Sequence, residues 1–219
     1  MTGLPKKRVL RGCWRRVKSL AAASRRFVHV RVLGRKIRPE DILPPTKFVR
    51  LKHCCVDIDE TAQFVLDGIL TLGCKAFADS ALETRFFVGP NAKVTVAGDF
   101  SVNNGSDIRV LANGVLALNE GFCNDGVQIV CAKNVTIGRG CAIARDVIIR
   151  DYDAHQLVGH GHEMAKDIVI GEHVWIGTRA MILKGVTIGD NTIIGAGSVV
   201  VHDIPGNSLT VGSPAGTLE

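Results

Sequence analysis

Apolar positions recur along this chain with a period of six. In the C-terminal half Ile170, Ile176, Ile182, Ile188, Ile194 and Val200 stand at every sixth residue, and Gly171, Gly177, Gly189 and Gly195 follow four of them directly. A second slot four residues on holds mostly small side chains: Val174, Ala180, Val186, Thr192, Ser198 and Ile204. Upstream the same phase runs through Ile137-Gly138, Ile143-Ala144 and Ile149, with Val135, Cys141 and Val147 in the second slot. A period of six fits neither an α-helix nor a plain alternating strand. It fits a short strand followed by a tight corner. Three such units close a triangular coil, and successive coils stack as parallel strands about 4.8 Å apart. The aliphatic residue fills the interior, the small residue leaves room near the corner, and glycine relieves the backbone where the chain bends.

A weaker series runs through Ile58, Phe64, Leu70, Ala76, Leu82, Val88, Val94, Phe100, Ser106, Ala112 and Leu118. It is one residue out of phase with the later series, which predicts an irregular corner near Asn124–Gln128. Gly195-Ala196-Gly197 is no dinucleotide loop, because no helical period follows it. The repeat breaks once, at Asp151–Asp167, a polar stretch with three of the seven histidines and the single tyrosine. An insertion that interrupts a solenoid maps to a protruding loop, often on the binding face.

A different period governs the N-terminus. Leu10, Cys13, Trp14, Val17, Leu20, Ala21, Ser24 and Phe27 recur at helical spacing, with Arg11, Arg15, Arg16, Lys18, Arg25 and Arg26 around them. Residues 1–39 carry 13 Lys or Arg and no acidic residue, while the rest of the chain is net acidic. The overall charge of +6 therefore describes an arm and not the body, and it is no nucleic-acid signal in itself. A basic amphipathic helix suits a membrane surface, and equally suits a cap on the open end of a solenoid. This divides the chain into a basic segment at 1–48 and a β-helix domain at 49–215 with its loop at 151–167.

The abundant glycine and scarce aromatics, 24 residues and 5%, suit narrow, tightly turning strands. The seven cysteines form no CxxC pair and read as buried, reduced thiols, which places the protein in the cytoplasm, peripheral to the inner membrane surface if the helix binds lipid. No apolar run is long enough to span a bilayer, and Arg11, Arg15, Arg16 and Lys18 interrupt what a signal peptide would need.

The runs Ile170-Gly171-Glu172-His173-Val174-Trp175-Ile176-Gly177, Leu183-Lys184-Gly185-Val186-Thr187-Ile188-Gly189 and Ile194-Gly195-Ala196-Gly197-Ser198-Val199-Val200 resemble the hexapeptide-repeat acyltransferases. Asp151-Tyr152-Asp153-Ala154-His155 and Val211-Gly212-Ser213-Pro214-Ala215 extend the likeness, which is nearest to the polysaccharide and sugar O-acetyltransferases. The specific motifs cover roughly residues 135–215. The resemblance implies a left-handed parallel β-helix in an all-β homotrimer, with acetyl-CoA as co-substrate and a sugar or glycan as acceptor. It also implies clefts between neighbouring β-helices as active sites, a histidine near the interrupting loop as base, and no metal in the chemistry. Family members often add a segment beyond Pro-Ala that helps bind the adenine phosphate. Here Gly216-Thr217-Leu218-Glu219 stands there, so either the phosphate contacts are reduced or the chain is cut short with a cloning remnant.

Within that frame His155 is the candidate base: imidazole can take a proton from a hydroxyl and return it to a thiolate near neutral pH. Direct attack on the thioester needs no enzyme nucleophile, and no Gly-x-Ser-x-Gly elbow is present. Asp151 and Asp153 flank it. Each either orients the imidazole or a sugar hydroxyl, or forms a polar corner bonded to its own backbone. His160 and His162 either line the acceptor pocket or are ordinary loop residues. Trp175 falls in an outward slot and seeks a partner surface, whether pantetheine or an adjacent subunit. Gly177, Thr178, Ala196 and Val201 match family positions whose main chain meets CoA. Lys184 either reaches a CoA phosphate or is a solvated corner lysine.

Two other functions fit a solenoid of this kind. A carbonic-anhydrase-like zinc site would need three histidines, and between His53 and His155 there are none. A non-catalytic interaction subunit would need neither the histidine loop nor a groove of small residues.

Overall fold

The computed structural model describes residues 47–51, 53–74, 80–155 and 163–218. The N-terminal segment with its expected helix, and both His160 and His162, lie outside the described residues. Within them are 22 short strands, and each of the first seventeen pairs in parallel with the third strand after it, while Ile193–Ile194 pairs with Leu209–Gly212, two strands on. The result is a three-sided parallel solenoid, which fits the left-handed β-helix expected from the sequence. Its first face carries Gly121–Cys123, Cys141–Ile143, Trp175–Ile176 and Ile193–Ile194. The second carries Gln128–Cys131, Ile148–Arg150, Met181–Leu183 and Val199–Val200, and the third Asn134–Ile137, Ile168–Ile170 and Thr187–Ile188.

The six-residue rule holds strictly in the last full coils. There Trp175 pairs with Ile193, Met181 with Val199 and Val169 with Thr187, each partner standing three hexads on. Here Ile170, Ile176, Ile182, Ile188, Ile194 and Val200 are all within 1% of full burial. Each such aliphatic contributes about 1.5–3 kcal/mol by leaving water. The small second slot is equally buried, and its polar members are bonded: the Thr192 hydroxyl donates to the Pro205 carbonyl at 3.1 Å.

Upstream the expectation needs correction. Lys93 pairs with Val115, Asp107 with Gln128 and Gly121 with Cys141, so each of these coils is longer than three hexads, by a margin that shrinks along the chain. Strands there are longer and alternate with period two, so Phe86 and Val88, Val94 and Val96, Ile108 and Val110, and Leu116 and Leu118 each point inward as pairs. Leu82, assigned inward by the hexad count, is 57% exposed, and Ala112 is exposed as well. The slip is spread over several corners and not concentrated at Asn124–Gln128. Ile204 also moves, from the second slot to a place above Ile188, because the final coil falls short of three hexads.

The glycines after each aliphatic do something other than bend the chain. A Cβ on Gly138 would lie 2.3 Å from the carbonyl oxygen of Gly171, and one on Gly189 would lie 2.3 Å from the amide of Gly206. They allow one coil's backbone to rest on the next. The bend itself comes three residues after the aliphatic, at Gly140, Asp146, His173, Arg179, Gly185, Asn191 and Gly197, all at φ between +55° and +79°.

Candidate active site

The interrupting loop leaves the solenoid at the corner between the second and third faces, directly after Ile148–Arg150. Its base is a small antiparallel ladder. Tyr152 bridges Ala165, the Asp153 amide donates to Met164, and the Lys166 amide donates to Asp151. Below the ladder Asp151 is fully buried, and its carboxylate accepts from the amides of Ala132, Lys133 and Asn134 at 2.7, 2.8 and 2.9 Å. Of the two roles open to it, Asp151 takes the backbone one. Its oxygens hold the preceding corner, and it does not orient an imidazole.

Three lysines surround the returning arm. Lys133, from the preceding coil, reaches Glu163 at 3.5 Å and Asp167 at 3.3 Å, and the neighbouring Asp167 carboxylate raises its ammonium above the ordinary lysine range. Lys166 lies 3.8 Å from Glu163. Lys184, from the following coil, pairs with the Asp153 carboxylate at 2.6 Å and donates to the Glu163 carbonyl at 2.6 Å. Its side chain is only 17% exposed. In this chain the ammonium is bound to its own loop, so the lysine is not the solvated corner residue that was one of its two sequence alternatives.

His155 follows Asp153 by two residues and is exposed on the outgoing arm. Val201 is exposed at the same corner, one coil beyond Lys184. The remaining candidates sit elsewhere. Gly177 is buried and Thr178 exposed at the corner between the first and second faces. The exposed Ala196 lies one coil further on, and the Gly197 amide donates to the Thr178 carbonyl at 2.8 Å. A Cβ on Gly177 would come within 2.6 Å of the Ala196 amide. Trp175 points outward from the first face, 55% exposed, between Ala142 and Ile193 in the stacked strands. One chain thus brings His155, Asp153, Lys184 and Val201 to one edge, and Gly177, Thr178 and Ala196 to the next. The whole second face separates these edges, and Trp175 lies beyond the second of them.

Buried thiols line the interior at these levels. Burial pushes Cys141 up to about 11, and raises Cys123 further still. Cys131 rises for the same reason first, with the Asp151 charge adding to it. Among the described residues no three His, Cys, Asp or Glu side chains converge as a metal site would. The sequence reading missed Lys133, Glu163 and Asp167. Glu163 and Asp167 stand at the loop's returning margin, but no local pattern ties Lys133, on the preceding coil, to them.

Residues 167–202 match the family model for the bacterial transferase hexapeptide, six repeats. Over those residues the chain carries the repeat of that transferase family, and the similar proteins are O-acetyltransferases by name. It is similar to galactoside O-acetyltransferase of Escherichia coli (strain K12), 39% identical over 130 residues, which cover 58% of this chain and 60% of that protein. It is also similar to the putative lipopolysaccharide biosynthesis O-acetyl transferase WbbJ of the same strain, at 29% identity over 70% of this chain and 84% of the other. Among solved structures, the polySia-specific acetyltransferase NeuO matches with a TM-score of 0.60 and 29% identity, covering 78% of this chain and 81% of that one.

Proposed function

We propose that this protein is an acetyltransferase that carries acetyl from acetyl-CoA to a hydroxyl of a sugar or surface glycan, with His155 as general base. The observation that carries the reading is the loop at 151–167, which raises an exposed histidine on a braced stem at an edge of the solenoid. The superfamily relatives named as galactoside, lipopolysaccharide and polysialic acid O-acetyltransferases support the reaction class.

In the proposed reaction the imidazole takes the proton of the acceptor hydroxyl as its oxygen attacks the thioester carbonyl carbon. The tetrahedral intermediate collapses, the carbon–sulfur bond breaks, and the imidazolium returns the proton to the departing thiolate. The products are an acetyl ester and CoA with a free thiol. Trp175 offers an indole surface to the pantetheine arm, while Gly177, Thr178, Ala196 and Val201 present backbone along a path of small side chains.

These groups stand on edges that one prism keeps apart, so the site is completed between copies. The loop edge of one chain faces the Gly177–Ala196 edge of the next in a left-handed β-helical homotrimer. The basic segment at 1–48 either caps the first coil or rests on an anionic membrane surface, consistent with a cytoplasmic enzyme acting on lipid-linked glycans. Release of free thiol from acetyl-CoA, assayed across nucleotide sugars and oligosaccharides, tests the activity. Acceptor-dependent release is expected, and none above acetyl-CoA hydrolysis with any acceptor would overturn it.

A further inference from the structure

We infer that Lys184 is a positioning residue for the loop that carries the base. Its ammonium joins the two arms of the loop, taking the Asp153 carboxylate on the outgoing arm and the Glu163 carbonyl on the returning arm, each at 2.6 Å. The inference rests on His155 being that base.

Three features make this more than a surface ion pair. Lysine is among the residues least often withdrawn from water, yet this one is 17% exposed and sits on the corner of a regular coil of three hexads. The same corner is bonded to the returning arm through its backbone: the Gly185 amide donates to the carbonyls of Asp167 at 3.1 Å and Lys166 at 3.3 Å. From the other side, Lys133 holds Glu163 and Asp167, so the returning arm is fixed by the coils before and after it. Lys184 transmits that fixed position to Asp153, and His155 lies two residues beyond. A base must stand within hydrogen-bonding reach of the proton it removes, and small displacements cost large factors in rate. An ammonium has three donors, and two of Lys184's are directed at its own loop, which argues against a primary role on a CoA phosphate.

The test compares Lys184→Met, Lys184→Arg, Asp153→Asn and His155→Ala in the full chain. It measures turnover with the best acceptor from the sugar panel, affinity for CoA and 3′-dephospho-CoA, and hydrogen exchange of residues 151–167. Lys184→Met is expected to lower kcat by roughly ten- to a hundredfold. CoA and dephospho-CoA affinity should stay within about twofold, and loop exchange should accelerate. Lys184→Arg should restore most of the rate, and Asp153→Asn should add little to Lys184→Met, since both break one tether. Weakened CoA binding with unchanged kcat and loop exchange would overturn the inference in favour of a phosphate contact. So would unaltered loop exchange in Lys184→Met, whatever His155 does. Normal turnover in His155→Ala would instead remove the base assignment, and with it the catalytic consequence of the tether, while the exchange result still reports the tether itself.

Discussion

The Asp151 carboxylate reaches back to the corner one coil before it, with one oxygen 2.7 Å from the amide nitrogen of Ala132. The other oxygen takes the amides of Lys133 and Asn134, and the side chain has no exposed surface. Truncation would leave three part-buried amides without this acceptor. Asp151→Ala should therefore cost about 3 kcal/mol of stability, since hydrogen bonds to a charged group are worth about 1.5–3 kcal/mol and unsatisfied donors add their own penalty. Asp151→Asn, which keeps one acceptor oxygen, should lose less. Urea denaturation of the variants measures this, and a midpoint unchanged in Asp151→Ala would show that the corner stands without it.

The stacked corner glycines make an equally direct prediction. A methyl on Gly138 meets backbone of Gly171 at 2.3 Å, and rigid backbone cannot give way as a flexible side chain would. Gly138→Ala should destabilise by about 3 kcal/mol or more, at or above the usual cost of overpacking. Gly216→Ala, where an added Cβ meets nothing within 4 Å, should be close to neutral. Thermal denaturation of the pair distinguishes close approach from a general intolerance of side chains.

The coil was legible in the sequence where each strand offers one inward aliphatic, from Ile170 to Val200. It was misread where the coils are longer than three hexads, because inward pairs such as Phe86 and Val88, then Val94 and Val96, no longer stand six apart. Leu82 and Ala112 fell into phase by coincidence. The loop showed itself as a break in period, and His155 through its surroundings. Lys184's role was not readable, since its tether to Asp153 joins positions far apart along the chain and depends on which corners stack. The even choice left for Asp151 was settled by its contact with the distant Ala132, which no local pattern encodes.

Buried thiols set an alkaline limit. Burial raises Cys54, Cys74 and Cys141 from 9.0 to about 11, and Cys123 and Cys131 beyond that. The folded chain keeps these protons while the unfolded chain releases them from about pH 9, so raising the pH favours unfolding. Their contribution is fully present below about pH 9 and is lost progressively as the pH climbs through about 11 and beyond. Denaturation midpoints at pH 7.5, 9 and 10.5 should fall in that order, and Cys141→Ala should flatten the fall. A maleimide at pH 8 should label exposed Cys55 well before Cys123 or Cys141, as peptide mapping can read. Rapid labelling of either buried thiol would contradict this.

Trp175 contributes nothing to the prism interior, so its removal should leave the fold intact. Trp175→Ala is expected to keep the wild-type melting temperature and weaken acetyl-CoA binding roughly tenfold, in keeping with the usual weight of an aromatic anchor. Isothermal titration and light scattering together separate its two candidate partners. Lost CoA affinity in an intact trimer assigns the indole to pantetheine, dissociation assigns it to the subunit contact, and no change in either would leave the proposed cleft without its aromatic wall.

The account turns on the imidazole of His155. Its most direct test is turnover of His155→Ala, measured beside acetyl-CoA affinity and oligomeric state. A positioned general base is worth roughly a hundred- to ten-thousandfold, so kcat should fall by that factor. Acetyl-CoA affinity and the trimer should persist nearly unchanged, because the imidazole takes a proton and does not hold the cofactor. His160→Ala and His162→Ala should act more mildly and mainly on the acceptor KM. Near-normal turnover in His155→Ala would contradict the account, and the loop at 151–167 would not be the catalytic loop.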